Sequence, residues 1–336
     1  MARGGDVTTR HAPSRTAVAR TARTGRTGRL TKLSLQSVHS MLAILSVVGC
    51  APAPVAPSPE PTPTLETRFA HRIAQVPGAE AAVWVEDLET GATYAVADTV
   101  PYHPASTMKL PVMVSLVRAA EAGAFDLDDR VVLQNTFRSI IDGSPYSLIR
   151  AEDSDPALYD RVGVPISLRE LNHRMIVRSS NLATNALIEH LGADAITRVA
   201  AALGAEGVIV RRGVEDAKAF AAGQNNVATA RGLGRLLAAI ERGSAASAAG
   251  TALMRTTLLA QEFNDEIPAG LPPGTPVAHK TGWITGQTHD AAIVYPPGRA
   301  PFVLVVLTRR IADRTTAQRL IADLAALTWS RVVAGR

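Results

Sequence analysis

The chain has 336 residues, 46% of them apolar, which is enough for one large domain or two lobes. Its net charge of +5 belongs to the leader: residues 1–49 hold seven arginines and Lys32 against Asp6, a balance of +7 that leaves −2 for everything after. With aromatics at 4% and no basic stripe, a nucleic-acid surface is excluded, and the single cysteine, Cys50, excludes an intramolecular disulfide.

Residues 41–49 form an apolar run too short to cross a bilayer. A basic segment precedes the run and small residues end it, so 1–49 reads as a secretory leader. Val47-Val48-Gly49-Cys50 resembles a bacterial lipobox, which implies cleavage before Cys50, lipid on its sulfur, and an exported protein anchored to the cell membrane, at the surface or in the periplasm. Residues 50–64 continue as a proline-rich, semi-rigid tether, and 65–336 form the folded domain. Within it, apolar spacing predicts a first helix over 65–76 and a hairpin over 81–98 turned at Glu89-Thr90-Gly91. An apolar helix over 112–122 follows. Residues 124–166 are loop-rich, with Phe137, Tyr146 and Tyr159 as anchors. Helices are predicted over 167–178, 182–191, 193–203, 228–242 and 245–259. Pro272-Pro273-Gly274 breaks the pattern before three strands, 276–283, 290–295 and 302–308, and a terminal helix over 315–333. Strands from both ends of the chain must join one sheet. The expected fold is therefore α/β of the α+β type: a five-stranded, mostly antiparallel sheet flanked by helices, with an inserted all-α lobe over about 112–265 and a cleft between lobe and sheet.

Three segments carry chemistry. The first is Pro104-Ala105-Ser106-Thr107-Met108-Lys109, where a serine and a lysine three apart share a helix face, so the amine comes within reach of the hydroxyl. A serine in a first helical turn also has its own amide unspent beside the positive end of the macrodipole. That places a nucleophile, a base and half an oxyanion hole in one turn. The second is Ser179-Ser180-Asn181, at a helix entrance. The third is Lys280-Thr281-Gly282, on a strand. Of 35 basic residues only four are lysines, Lys32, Lys109, Lys218 and Lys280. Two of the four fall in these segments, where an amine that can release its proton does what arginine cannot.

Ser-x-x-Lys, then a Ser-x-Asn triplet, then Lys-Thr-Gly, in this order, resembles the penicillin-recognising serine hydrolases, most closely the class A β-lactamases, in an outlying β-lactamase-related branch. The resemblance covers about residues 65–336 and implies a β-lactamase/transpeptidase-like fold. It also implies roles. Ser106 attacks the lactam carbonyl and is acylated, and Lys109 takes part in removing its proton. Ser179 passes a proton to the departing nitrogen. Asn181 bonds the substrate's side-chain amide, and Lys280 and Thr281 bind its carboxylate. Gly282 lets the strand backbone approach, and the N–H groups of Ser106 and Trp283 form the oxyanion hole. The implied substrate is a small β-lactam or a cell-wall peptide, with no cofactor, no metal and a monomeric enzyme.

Departures from the family pattern are as informative. Ser180 stands where the family has aspartate, so a buried structural carboxylate is expected to be missing. Deacylation in class A needs a glutamate on a loop after the helical block and an asparagine four residues on; Glu215 is the candidate base, but Ala219 stands at the second place. Arg212 is expected to close the loop, against Asn225 or Asn226 in place of an aspartate. The spacing from Ser106 to Ser179 is long, and the excess, near 139–163, is expected to rim the cleft. The alternatives are a D,D-peptidase or acyl transferase sharing acylation but not fast hydrolysis, another serine hydrolase, and a lipid-anchored sensor that acylates once. The eight histidines lack metal-ligand spacing, and no Gly-x-Ser-x-Gly elbow or phosphate loop is present.

Overall fold

The computed structural model describes residues 63–335; the leader, Cys50 and nearly all of the tether lie outside the described residues. Helix α1 (Leu65–Ala74) starts at Thr64, whose hydroxyl accepts the Thr67 amide. Strands β1 (Glu80–Asp87) and β2 (Thr93–Val96) follow, and then a 3-10 turn, Ala105–Met108, runs straight into α2 (Lys109–Glu121). The lobe continues with β3 (Arg130–Val132), β4 (Phe137–Arg138), β5 (Pro145–Tyr146) and β6 (Pro165–Ser167). Its helices are α3 (Leu168–Val177), α4 (Asn181–Leu191), α5 (Ala193–Ala202), α6 (Ala217–Ala221), α7 (Ala230–Glu241) and α8 (Ala248–Leu259). Strands β7 (Val277–Ile284), β8 (Gln287–Val294) and β9 (Phe302–Arg309) and helix α9 (Arg314–Val332) complete the chain.

The five-stranded sheet has the order β2-β1-β9-β8-β7, every neighbour antiparallel. The first strand is thus sealed beside the last, in the register Glu80↔Arg309 to Asp87↔Phe302. Alternation along β9 divides the core. Phe302, Leu304 and Val306 pack with Phe69 of α1 and Leu320 and Leu324 of α9, while Val303, Val305 and Leu307 face the cluster built on α2 and α7. Each such side chain contributes roughly 1.5–3 kcal/mol of burial. Helix α2 is buried on every side over residues 109–117, so that part runs through the middle of the lobe. Its first residue, Lys109, is consequently held away from water.

Two differences from the sequence reading bear on the site. Ser106 lies on the 3-10 turn, not on the α-helix itself. The lobe also contains two short ribbons, β3–β6 and β4–β5, and the five-residue α6, all too short for periodicity to reveal.

Candidate active site

Ser106 sits part-buried on a turn that is fixed from three sides. The residue before it, Ala105, has φ 45°, a left-handed conformation that costs a side-chain-bearing residue about 1–3 kcal/mol. The Ala105 amide donates to His103 Nδ1 at 3.1 Å, and the His103 carbonyl accepts from His289 Nε2 at 2.9 Å. The other ring nitrogen of His289 accepts the Thr308 amide at 3.1 Å, which fixes its tautomer. Burial, with Arg212 adding to it for His103, pushes both imidazoles down to about 4, so both brace the turn as neutral rings. From the third side comes Gly282: a Cβ there would lie 2.7 Å from Ser106 N and 2.9 Å from Thr107 N. Only a glycine lets strand β7 lie this close to the turn.

Lys109 is fully buried. Its amine donates to the Ser179 carbonyl at 2.6 Å and to Asn181 Oδ1 at 2.9 Å, and it lies 3.1 Å from Ser179 Oγ, to which the ammonium donates and from which the neutral amine accepts. The first and second motifs therefore meet at one nitrogen, and these bonds run to the second motif and not to Ser106. Burial pushes Lys109 down from 10.5 to about 7, with Asp153 and Glu215 partly opposing the fall. That difference corresponds to about 5 kcal/mol by which the site disfavours the ammonium, and it makes a neutral amine available near neutral pH.

The second motif enters helix α4. Ser179, buried, has φ 58°, and Ser180 is the N-cap, its hydroxyl accepting the Ala183 amide at 3.3 Å. The expected lack of a buried carboxylate is overturned. Asp153, 6% exposed, comes in from the segment between β5 and β6, and its Oδ2 accepts the amides of Asn181 and Leu182, both at 2.9 Å. Sequence reading missed it because nothing in the spacing from 153 to 180 announces the contact.

Asn181 joins two motifs to the loop. Its Oδ1 receives Lys109, and its Nδ2 donates to Glu215 Oε1 at 2.7 Å. Glu215 is part-buried with φ 61°; burial raises its carboxyl, the Asn181 bond lowers it, and Asp153 and Glu152 raise it further. Among the described residues no arginine pairs with it, and its side-chain hydrogen bond goes to Asn181. The loop is closed as expected. Arg212 donates to Asn225 Oδ1 at 2.7 Å and to the Gln224 carbonyl at 3.2 Å, while Asn226 Oδ1 accepts the Arg211 and Arg212 amides at 2.8 and 3.1 Å. Two further braces were not anticipated. Asn185 accepts the Val214 amide at 2.7 Å and donates to its carbonyl at 3.0 Å. Asp216 accepts from Ser139 Oγ at 2.9 Å, from the Ile140 amide at 3.0 Å and from the Ala219 amide at 3.0 Å. Ala219, fully buried, presents no polar group where the family has asparagine.

The third motif lies on β7. Lys280 and Thr281 are fully buried; the Lys280 amine donates to the Thr281 carbonyl at 2.9 Å, and burial together with Lys109 holds it well below its ordinary value. Thr281 Oγ1 is buried without a hydrogen-bond partner. Trp283 stands edge-on to Phe263, ring centroids 5.2 Å apart, and carries the Arg314 guanidinium 3.9 Å from its own centroid. A cavity of about 810 Å³ opens over these elements, lined by Ser106, Asn181, Glu215 and Trp283 and, from the long spacer, by Tyr146 and Ile149. Lys109, Ser179, Lys280 and Thr281 are not among the residues lining it. Among the described residues, no cluster of His, Cys, Asp or Glu suits a metal ion.

Comparison with known proteins gives a family. The model of the β-lactamase enzyme family matches residues 64–332. A β-lactamase of Amycolatopsis lactamdurans is 28% identical over 62% of this chain and 75% of its own length. β-Lactamase AST-1 of Nocardia asteroides is 27% identical over 82% and 86%. Three further curated relatives, β-lactamases of Streptomyces albus G, Streptomyces fradiae and Bacillus amyloliquefaciens, are matched over 52–57% of their own length. Among solved structures, an ancestral (GNCA) class A β-lactamase superposes with a TM-score of 0.68 at 27% identity, covering 79% of this chain and 98% of that one.

Proposed function

Because the chain belongs to the β-lactamase enzyme family, we propose that it opens the β-lactam amide through an acyl-serine intermediate. The neutral Lys109 amine receives the Ser106 proton, through Ser179 Oγ or a water, as Ser106 Oγ attacks the lactam carbonyl. The Ser106 and Trp283 amides hold the oxyanion. As the C–N bond breaks, the proton passes by way of Ser179 to the lactam nitrogen. Glu215 then takes a proton from water as the water oxygen attacks the ester carbonyl, and as the bond from that carbon to Ser106 Oγ breaks the proton returns to Ser106 Oγ, which restores the free hydroxyl. Lys280 and Thr281 bind the substrate carboxylate, Gly282 admits it to the strand, and Asn181 steers its side-chain amide. The observation that supports this reading is the hydrogen-bonded series Ser179–Lys109–Asn181–Glu215, with links of 3.1, 2.9 and 2.7 Å, which connects the groups assigned here to acylation and to deacylation.

Glu215→Gln tests it. Incubation with a penicillin is expected to leave Ser106 acylated, seen as the ligand's mass added to the intact protein. Full-rate turnover by that variant removes Glu215 from the mechanism. One observation favours a second reading, a D,D-peptidase, acyl transferase or single-turnover sensor: the apolar Ala219 leaves the attacking water one holder short. A long-lived adduct in the wild type supports it. We also propose retention at the cell membrane through lipid on Cys50, which rests on the sequence alone.

A further inference from the structure

We propose that Asp153 is the positioning residue of the second motif, supplying from a separate segment the carboxylate that Ser180 does not. The role deepens the function proposed above and rests on it only where activity is the readout.

An α-helix leaves its first amides without internal partners. Here the Asn181 and Leu182 amides donate to Asp153 Oδ2, both at 2.9 Å, the Ala183 amide to Ser180 Oγ at 3.3 Å, and the Thr184 amide to the Ser180 carbonyl at 3.2 Å. Asp153 therefore satisfies the two amides that the cap serine does not reach. Its Oδ2 also accepts from Tyr159 at 3.1 Å and Ser180 Oγ at 3.4 Å, and its Oδ1 accepts the Asp155 amide at 2.9 Å. Every one of these contacts is a donor, which suits an ionised carboxylate next to a helix N-terminus. The neighbouring Ser154 donates to the Ser179 carbonyl at 3.1 Å, so residues 153–154 grip the motif on both sides.

The grip reaches the reacting groups through one residue. Asn181, whose amide Asp153 holds, receives Lys109 and donates to Glu215. Asp153 also acts by charge, favouring the Lys109 ammonium and opposing ionisation of Glu215. The other charged groups here are Glu152, which faces Glu215, Lys280, which faces Lys109, and Asp155, paired with Arg174 at 2.9 Å and Arg178 at 3.5 Å.

Asp153→Asn keeps the shape and removes the charge. The full chain carries four lysines, so ¹³C-lysine labelling resolves Lys109 by NMR, assigned with Lys109→Arg. The wild-type amine is expected to titrate near 7 and to titrate lower in Asp153→Asn. With benzylpenicillin, kcat/KM is expected to fall by about 10²-fold, the loss associated with slight misplacement, and the acid limb of its pH profile to move to lower pH. Moving the carboxylate, as Asp153→Asn with Ser180→Asp, is expected to restore both. A folded Asp153→Asn in which Lys109 titrates as in the wild type overturns the proposal. If the single variant does not fold, the double variant decides: wild-type-like titration supports the proposal, and failure to fold or to regain it overturns it. A wild type inert to benzylpenicillin sinks the hydrolase reading alone, because the Lys109 titration still judges Asp153.

Discussion

Lys109 shows how one burial decides chemistry. An amine that is solvated elsewhere becomes, at the base of a helix buried on all sides, a group poised near 7. Arginine cannot play this part, because its guanidinium keeps its proton. Lys109→Arg is therefore expected to slow acylation of Ser106 by roughly 10²–10⁴-fold, measured as the rate of covalent labelling by a penicillin. The same substitution has a signature in stability. Between the folded value of about 7 and the unfolded 10.5, the unfolded chain holds the Lys109 proton and the folded chain does not. Stability therefore rises with pH through this window, and below about 7 the slope vanishes because both states hold the proton. Lys280, also depressed, adds in the same sense. Urea titrations from about pH 7 to about 9, below the tyrosine range, are expected to show the rise in the wild type and a weaker one in Lys109→Arg.

At the scale of elements, the site is a meeting of a turn, a helix entrance, a strand and a loop, each carrying a local constraint. The strand's constraint is the barest: Gly282 leaves no room for a methyl group against the Ser106 amide. Gly282→Ala is expected to lower kcat by 10²-fold or more while the melting temperature moves only a few degrees, since the clash falls on the nucleophile's turn and not on the core. Equal loss of fold and of rate contradicts this. What sequence could convey divides along the same line. Ser106, Lys109, Ser179, Asn181 and Lys280 stand within three short segments on predicted elements, so they were legible, as were strands such as β1 and β9, which read as short apolar runs between turn residues. Asp153 and Asp216 were not. Each acts across a gap in the chain closed only by the fold, from a segment without periodicity. The positive φ of Ala105, Ser179 and Glu215 was equally invisible, because local propensity gives no reason for a non-glycine residue there.

For the whole molecule, the antiparallel sheet closes the first strands onto the last and leaves the helical lobe as an insertion, so residues 106, 181, 215 and 283 reach one cavity from four parts of the chain. The β4–β5 ribbon joins the loop through Asp216 and through Lys218, which donates to Asp142 at 2.6 Å and Ser144 at 2.7 Å, giving the cleft the rim expected from the long spacer. Beyond the domain, the lipobox-like segment leads to a cellular expectation: Cys50→Ser releases the protein from the membrane fraction, and unchanged retention in fractionated cells refutes the lipid anchor.

The central claim is that Ser106 opens a β-lactam ring and is then freed by water. Its most direct measure is the hydrolysis of a chromogenic cephalosporin by the purified protein and by Ser106→Ala. The expected result is many turnovers per wild-type molecule and none above background for the variant. Undiminished hydrolysis by Ser106→Ala, or a wild-type burst that stops at one equivalent, contradicts it.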